Sequence, residues 1–140
     1  MSKGKRRKAL VSHPDPVYTK WRTAYPEFPG VEICVEQLRK ARGGLIDIIC
    51  IELRNNARDN LDDLIKAFGR EEDDWIQLML LSSIADARIP EATPFLGECL
   101  LSDNQRFREE ARFGLEYLDT KESRTILWNA ESSEFTYEPG

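Results

Sequence analysis

At 140 residues, with 41% apolar and 32% charged side chains, the chain has the size and mix of one helix-rich domain that buries about two-thirds of its unfolded surface. Its longest apolar runs are four residues, Ile48-Ile49-Cys50-Ile51 and Leu78-Met79-Leu80-Leu81, which excludes a helical membrane span and a signal-peptide core and points to the cytoplasm. Lys3, Lys5, Arg6, Arg7 and Lys8 put +5 in the first ten residues and leave −10 on the other 130, so a basic arm precedes an acidic body.

In chain order, residues 1–12 read as a disordered arm able to touch nucleic acid phosphates weakly, 13–130 as one helical domain, and 131–140 as a tail whose Phe135 and Tyr137 dock across the last helix. His13-Pro14-Asp15-Pro16 and the prolines at 26 and 29 fence off a short predicted helix over 17–24. A second helix over 31–42 carries Ile33, Leu38 and Ala41 at mixed helical spacing and stops at Gly43-Gly44. The segment 45–56 is apolar around most of its circumference, so it is expected between other helices. Asn60 opens the next helix, with Asp62 and Asp63 in its first turn and Leu61, Leu64, Ile65 and Phe68 as its stripe, and Gly69 ends it. Helices over 75–87, 91–101 (opened by Pro90), 105–118 (capped from Ser102-Asp103-Asn104) and 121–130 complete the series.

The second half matches itself at an offset of 31. Ile76, Leu80, Ile84, Glu91, Phe95 and Leu96 fall on Phe107, Ala111, Leu115, Glu122, Ile126 and Leu127, and the same shift backwards reaches Leu45, Ile49, Leu53 and Ile65. A fixed period of this length is the mark of stacked helix pairs, each burying its apolar face against its neighbours, and three units are about the minimum for stability. The expected fold is therefore all-α, a short α-solenoid of about three helix pairs behind an irregular N-terminal segment.

The run from Leu100 to Leu115 resembles a HEAT-type repeat. Leu100-Leu101 close a first helix, Asp103 sits in the turn, and Arg108 precedes the Ala111/Leu115 packing pair. The preceding unit keeps the acids Asp73 and Asp74 and the packing spacing but carries Gln77 where the arginine would be. The resemblance covers about residues 44–130. It implies that the second helices of the pairs, 45–56, 74–87 and 105–118, line a concave ridge, and that Asp103 and Arg108 serve the repeat fold by holding turn and backbone groups.

Catalytic equipment is nearly absent from the sequence. The single histidine, the lack of Cys-x-x-Cys, of a Gly-rich phosphate loop and of Gly-x-Ser-x-Gly leave no nucleophilic or metal site to build, and no cofactor is expected. Cys34, Cys50 and Cys99 read as reduced core thiols, and Trp75 and Trp128 as core packing. HEAT-like enzymes that excise damaged bases use a basic surface that this acidic body lacks. The chain is therefore expected to be a non-catalytic module binding a basic protein. Its size, acidity and architecture resemble small bacterial immunity proteins that neutralise a toxin; an adaptor subunit of a larger complex, or a nucleic-acid-binding or DNA-repair protein, are the alternatives. Helical phase places Asp47, Asp74, Gln77, Arg108, Glu109, Arg112 and Glu116 off the buried stripes, as the expected partner-binding residues.

Overall fold

A computed structural model describes the backbone of residues 15–137 and the side chains of 15–132, so the basic arm, His13 and the side chains of Phe135 and Tyr137 lie outside the described residues. Within the described residues the chain is all-helical, with no strand: α1 (Pro16–Ala24), α2 (Val31–Lys40), α3 (Gly44–Asn55), α4 (Leu61–Arg70), α5 (Asp74–Asp86), a 3-10 turn (Pro90–Ala92), α6 (Thr93–Cys99), α7 (Gln105–Leu118) and α8 (Lys121–Tyr137). None of these helices is long and apolar enough to cross a membrane.

Helix α1 begins where Asp15 Oδ1 accepts from the Val17 amide at 2.8 Å with Pro16 in the first turn. It buries only Trp21, and Arg22 fastens it to α3 by donating to the Glu52 carboxylate and, at 2.9 Å, to the Tyr25 carbonyl. In α2 the buried stripe is Val31, Cys34, Val35 and Leu38, spaced i, i+3, i+4, i+7, and Ile33 lies on the outer side of the helix. Helix α3 does lie between others, packing on α1, α2 and α5. Asn60 precedes α4 without capping it, because its Nδ2 donates back to the Asn56 carbonyl. Gly69 does not stop that helix, which runs to Arg70. The last helix continues to Tyr137, so residues 131–137 are helical backbone rather than a tail folded across it.

Packing follows two lines. Helices α3, α5 and α7 touch in that order, with α5 against α7 the most extensive contact in the molecule; α2 lies on α4, and α6 on α8. Across the lines, α2 packs on α3, α4 on α5, and α6 on α7. The core between them is made by Ile49, Leu53, Leu64, Leu80, Leu81, Ile84, Leu96, Ala111 and Leu115, each essentially without solvent contact. The α5–α7 approach is close because Gly114 faces Ala85: a Cβ on Gly114 would lie 2.8 Å from Ala85 Cβ and 3.1 Å from Leu96 Cδ1.

The 31-residue offset recurs in backbone and hydrogen bonds. Before α5, Glu71 Oε2 accepts from the Asp73 amide at 3.1 Å, Asp73 Oδ1 caps the Ile76 amide at 3.0 Å, and Gln77 Nε2 donates to the Phe68 carbonyl at 2.9 Å. Before α7, Ser102 Oγ accepts from the Asn104 amide at 3.0 Å, Asn104 Oδ1 caps the Arg106 amide at 2.9 Å, and Arg108 Nη1 donates to the Ser102 carbonyl at 2.7 Å. Positions 71, 73 and 77 are those of 102, 104 and 108 shifted by 31, whereas the carbonyls that Gln77 and Arg108 reach, Phe68 and Ser102, are 34 apart. After both helices the chain turns through a left-handed non-glycine residue, Arg88 at φ 57° and Asp119 at φ 52°, again 31 apart.

Candidate interaction face on helices α3, α5 and α7

One side of the α3–α5–α7 line is uncovered, and the offset places its residues in rows. Asp47, Leu78 and Glu109 share a phase, as do Ile51, Ser82 and Phe113, and Asn55, Asp86 and Tyr117. Ile51, Phe113 and Tyr117 are 44%, 46% and 45% exposed, a level at which large apolar side chains gain from being covered by a partner. Trp75 belongs to the same side of α5. At 41% exposure it is not core, and Trp128 on α8 at 68% is not either, which corrects the expectation that both tryptophans pack inside. The cause is helical phase: Trp75 stands one turn before Met79 and two before Ser82, opposite the Ile76-Leu80-Ile84 stripe.

Phe113 and Tyr117, one turn apart on α7, stack with ring centroids 5.6 Å apart and planes at 16°, and the Arg88 guanidinium lies 5.0 Å from the Tyr117 centroid. Between α5 and α7 runs an open groove of about 330 Å³ lined by Leu78, Met79, Ser82, Arg106, Glu109 and Glu110. One carboxylate oxygen of Glu110, Oε1, is buried there without a hydrogen-bond partner. Burial, followed by the nearby Asp86 charge, pushes the Glu110 carboxyl above the ordinary carboxylate range, against the pull of Arg106 and of a bond to Ser82. Asp86 is raised as well, by burial, with Arg54 opposing. Neighbouring Cys50 places its Sγ 3.7 Å from Met79 Sδ, and burial raises its thiol to about 11.

The seven sequence candidates divide by position. Asp47, Glu109 and Glu116 are exposed on the uncovered side of α3 and α7. Asp74 is exposed at the first turn of α5. Arg112 is half-buried and faces α8, where its Nη1 lies 3.4 Å from Glu131. Gln77 spends a donor on the Phe68 carbonyl of α4, and Arg108 on the Ser102 carbonyl in the turn before α7. The acids of the body gather most densely at residues 71–74, where Glu71 is bound by Arg39 through two bonds of 2.6 and 2.9 Å that hold its carboxyl below the usual range. Sequence reading missed Ile51, Ser82, Phe113 and Tyr117. The signal was available: the 31-residue offset that aligns the buried positions also aligns Ile51, Ser82 and Phe113, and Tyr117 lies one helical turn beyond Phe113.

Among the described residues no group of three or more His, Cys, Asp or Glu side chains is arranged to hold a metal ion. No family model, curated protein or solved structure matches the chain.

Proposed function

We propose that this chain is a HEAT-like α-solenoid of helix pairs and a non-catalytic protein-binding module that regulates or neutralises a basic protein partner. The repeat reading is supported by the two sets of turn hydrogen bonds and the two left-handed residues that recur after 31 positions. The binding reading is carried by one observation: Ile51 and Phe113, in register across α3 and α7, and Tyr117 one turn beyond Phe113 stand exposed on a face bordered by Asp47, Asp86, Glu109 and Glu116. Aromatic anchors inside a charged rim are the usual anatomy of a protein interface. The charge of −10 outside the first ten residues favours a basic partner and accelerates its approach. Neutralisation of a toxin is the case that the size, acidity and helix-pair architecture resemble.

The test is photocrosslinking in the native host from Glu116 or Asp47 on the proposed face, compared with Lys66 on α4. The expected product joins the face positions, and not position 66, to a protein of net positive charge. Association of the purified pair should slow at least tenfold between low and physiological salt. Crosslinks from position 66 alone, or a partner of net negative charge, would overturn the proposal.

A further inference from the structure

We infer that the groove between α5 and α7 seats an arginine side chain of the partner, its guanidinium held by Glu109 and Glu110 and its plane laid against the Phe113 ring. The inference deepens the binding role proposed above and rests on it.

The groove owes its shape to one small side chain. Ser82 stands in register between Ile51 and Phe113, so the middle of a row that is large at both ends is indented, with Leu78 and Met79 as its lining. An indentation with apolar walls suits the methylene stem of a long cationic side chain. At its α7 edge, Glu109 and Glu110 face the single cation among the lining residues, Arg106, so the groove keeps a negative excess that Asp86 enlarges.

The aromatic pair decides between arginine and lysine. Phe113 lies one helical turn from Glu109, within reach of a side chain that touches both. One ring of the pair already carries a guanidinium, since Arg88 sits 5.0 Å from the Tyr117 centroid, while Phe113 remains 46% exposed. A planar, weakly hydrated guanidinium can stack on a ring and bind carboxylate oxygens in the same pose; a lysine ammonium, compact and strongly hydrated, satisfies one of these at a time.

The experiment is a titration of the isotopically labelled full chain, followed by amide nitrogen–proton spectra, with three capped pentapeptides: Gly-Gly-Arg-Gly-Gly and the same peptide with lysine or with citrulline at its centre. The expected result is a saturable response with Kd on the order of 1 mM, confined to Ser82, Glu109, Glu110 and Phe113. It should be at least threefold weaker with lysine and absent with citrulline. Glu109→Gln and Phe113→Leu should each weaken the arginine response at least threefold, with the remaining amide signals in place to show that the fold is kept. Equal responses to arginine and lysine, a response spread over the acidic surface, or none at all overturns the arginine seat. If the face still crosslinks to a basic protein after such a result, the binding role stands and only the arginine assignment falls. An arginine response with crosslinks from position 66 alone would remove the partner reading and leave the seat.

Discussion

Gly114→Ala tests the close α5–α7 approach, because two effects of opposite sign meet at that residue. In a helix interior, replacing glycine by alanine stabilises by about 1 kcal/mol when the new methyl enters open space. Here the methyl would lie 2.8 Å from Ala85 Cβ, 3.1 Å from Ala85 Cα and 3.1 Å from Leu96 Cδ1. Carbon atoms settle at about 3.5–4.0 Å, so the helices must part by roughly 0.7–1 Å, and two of the three opposing atoms belong to a residue with no rotamer to change. Overpacking of this kind costs about 1–3 kcal/mol, which cancels the helix propensity gain at its lower end and leaves a net loss of up to about 2 kcal/mol at its upper end. For a domain of this size that lowers the Tm by up to roughly 8 °C. The control is Gly69→Ala, where the added Cβ meets nothing within 4 Å and the expected change is a gain of a few tenths to about 1 kcal/mol. Both are read by urea titration and thermal melts of the purified variants. A Gly114→Ala protein stabilised as much as Gly69→Ala would refute the reasoning, because it would show that α5 and α7 are not in backbone-level contact.

Leu80→Ala removes a side chain with no solvent contact and should cost about 2–5 kcal/mol in the same titration; a loss under about half a kcal/mol would mean that α5 is rotated from the phase described. Glu110→Gln should raise the Tm at about pH 7.5 and raise it less at about pH 4.5. The folded carboxyl titrates above the unfolded value, among Asp86, Glu109, Arg106 and Ser82, so its stabilising contribution is complete below the unfolded pKa of about 4.3 and is lost as pH rises through the folded one. The same Tm change at both pH values would argue against that shift. Cys34 and Cys99, raised to about 12 by burial, and Cys50, raised to about 11, should resist a disulfide reagent at about pH 8 until urea unfolds the chain, with Cys50 reacting first; three rapidly reacting native thiols would contradict the buried positions.

Much of the helical layout was legible because apolar periodicity and capping residues agree. The 105–118 helix coincides with its expected bounds: Asn104 supplies a side-chain cap, and the left-handed Asp119 ends the helix. Where the two signals conflict, the expectation failed. Gly69, a frequent helix terminator, sits inside α4, which runs one residue further to Arg70, whereas Asn60 does stand at the opening of that helix although its side chain bonds backward to Asn56. Pro90 opens a 3-10 turn that precedes α6 rather than α6 itself, since Pro94 supplies the first turn of the regular helix. The candidate face was half legible. Asp47, Glu109 and Glu116 follow from being charged and off the stripe, whereas Phe113 and Tyr117 are apolar residues off the stripe, which composition alone assigns to a core. Arg108 was legible in its other expected role, since its guanidinium holds the Ser102 carbonyl in the turn, and Gln77 reaches the Phe68 carbonyl of α4 in a similar way.

Side-chain volume at equivalent positions accounts for two features that period alone does not. Between Ile51 and Phe113 the register holds Ser82, and that loss of volume opens the groove on the α3–α5–α7 side. Between Gly97 and Trp128, also 31 apart, the change runs the other way. On α6, the absence of a side chain at Gly97 admits Ile126 of α8, whose Cδ1 would sit 3.5 Å from a Cβ built there. On α8, the equivalent position carries an indole that is 68% exposed. A helix approaching Trp128 as α8 approaches Gly97 would meet the ring before any backbone contact, and the α6–α8 spacing could not be repeated. A small residue in the row leaves the surface of α5 indented, and a large one on α8 holds any neighbouring backbone at a distance.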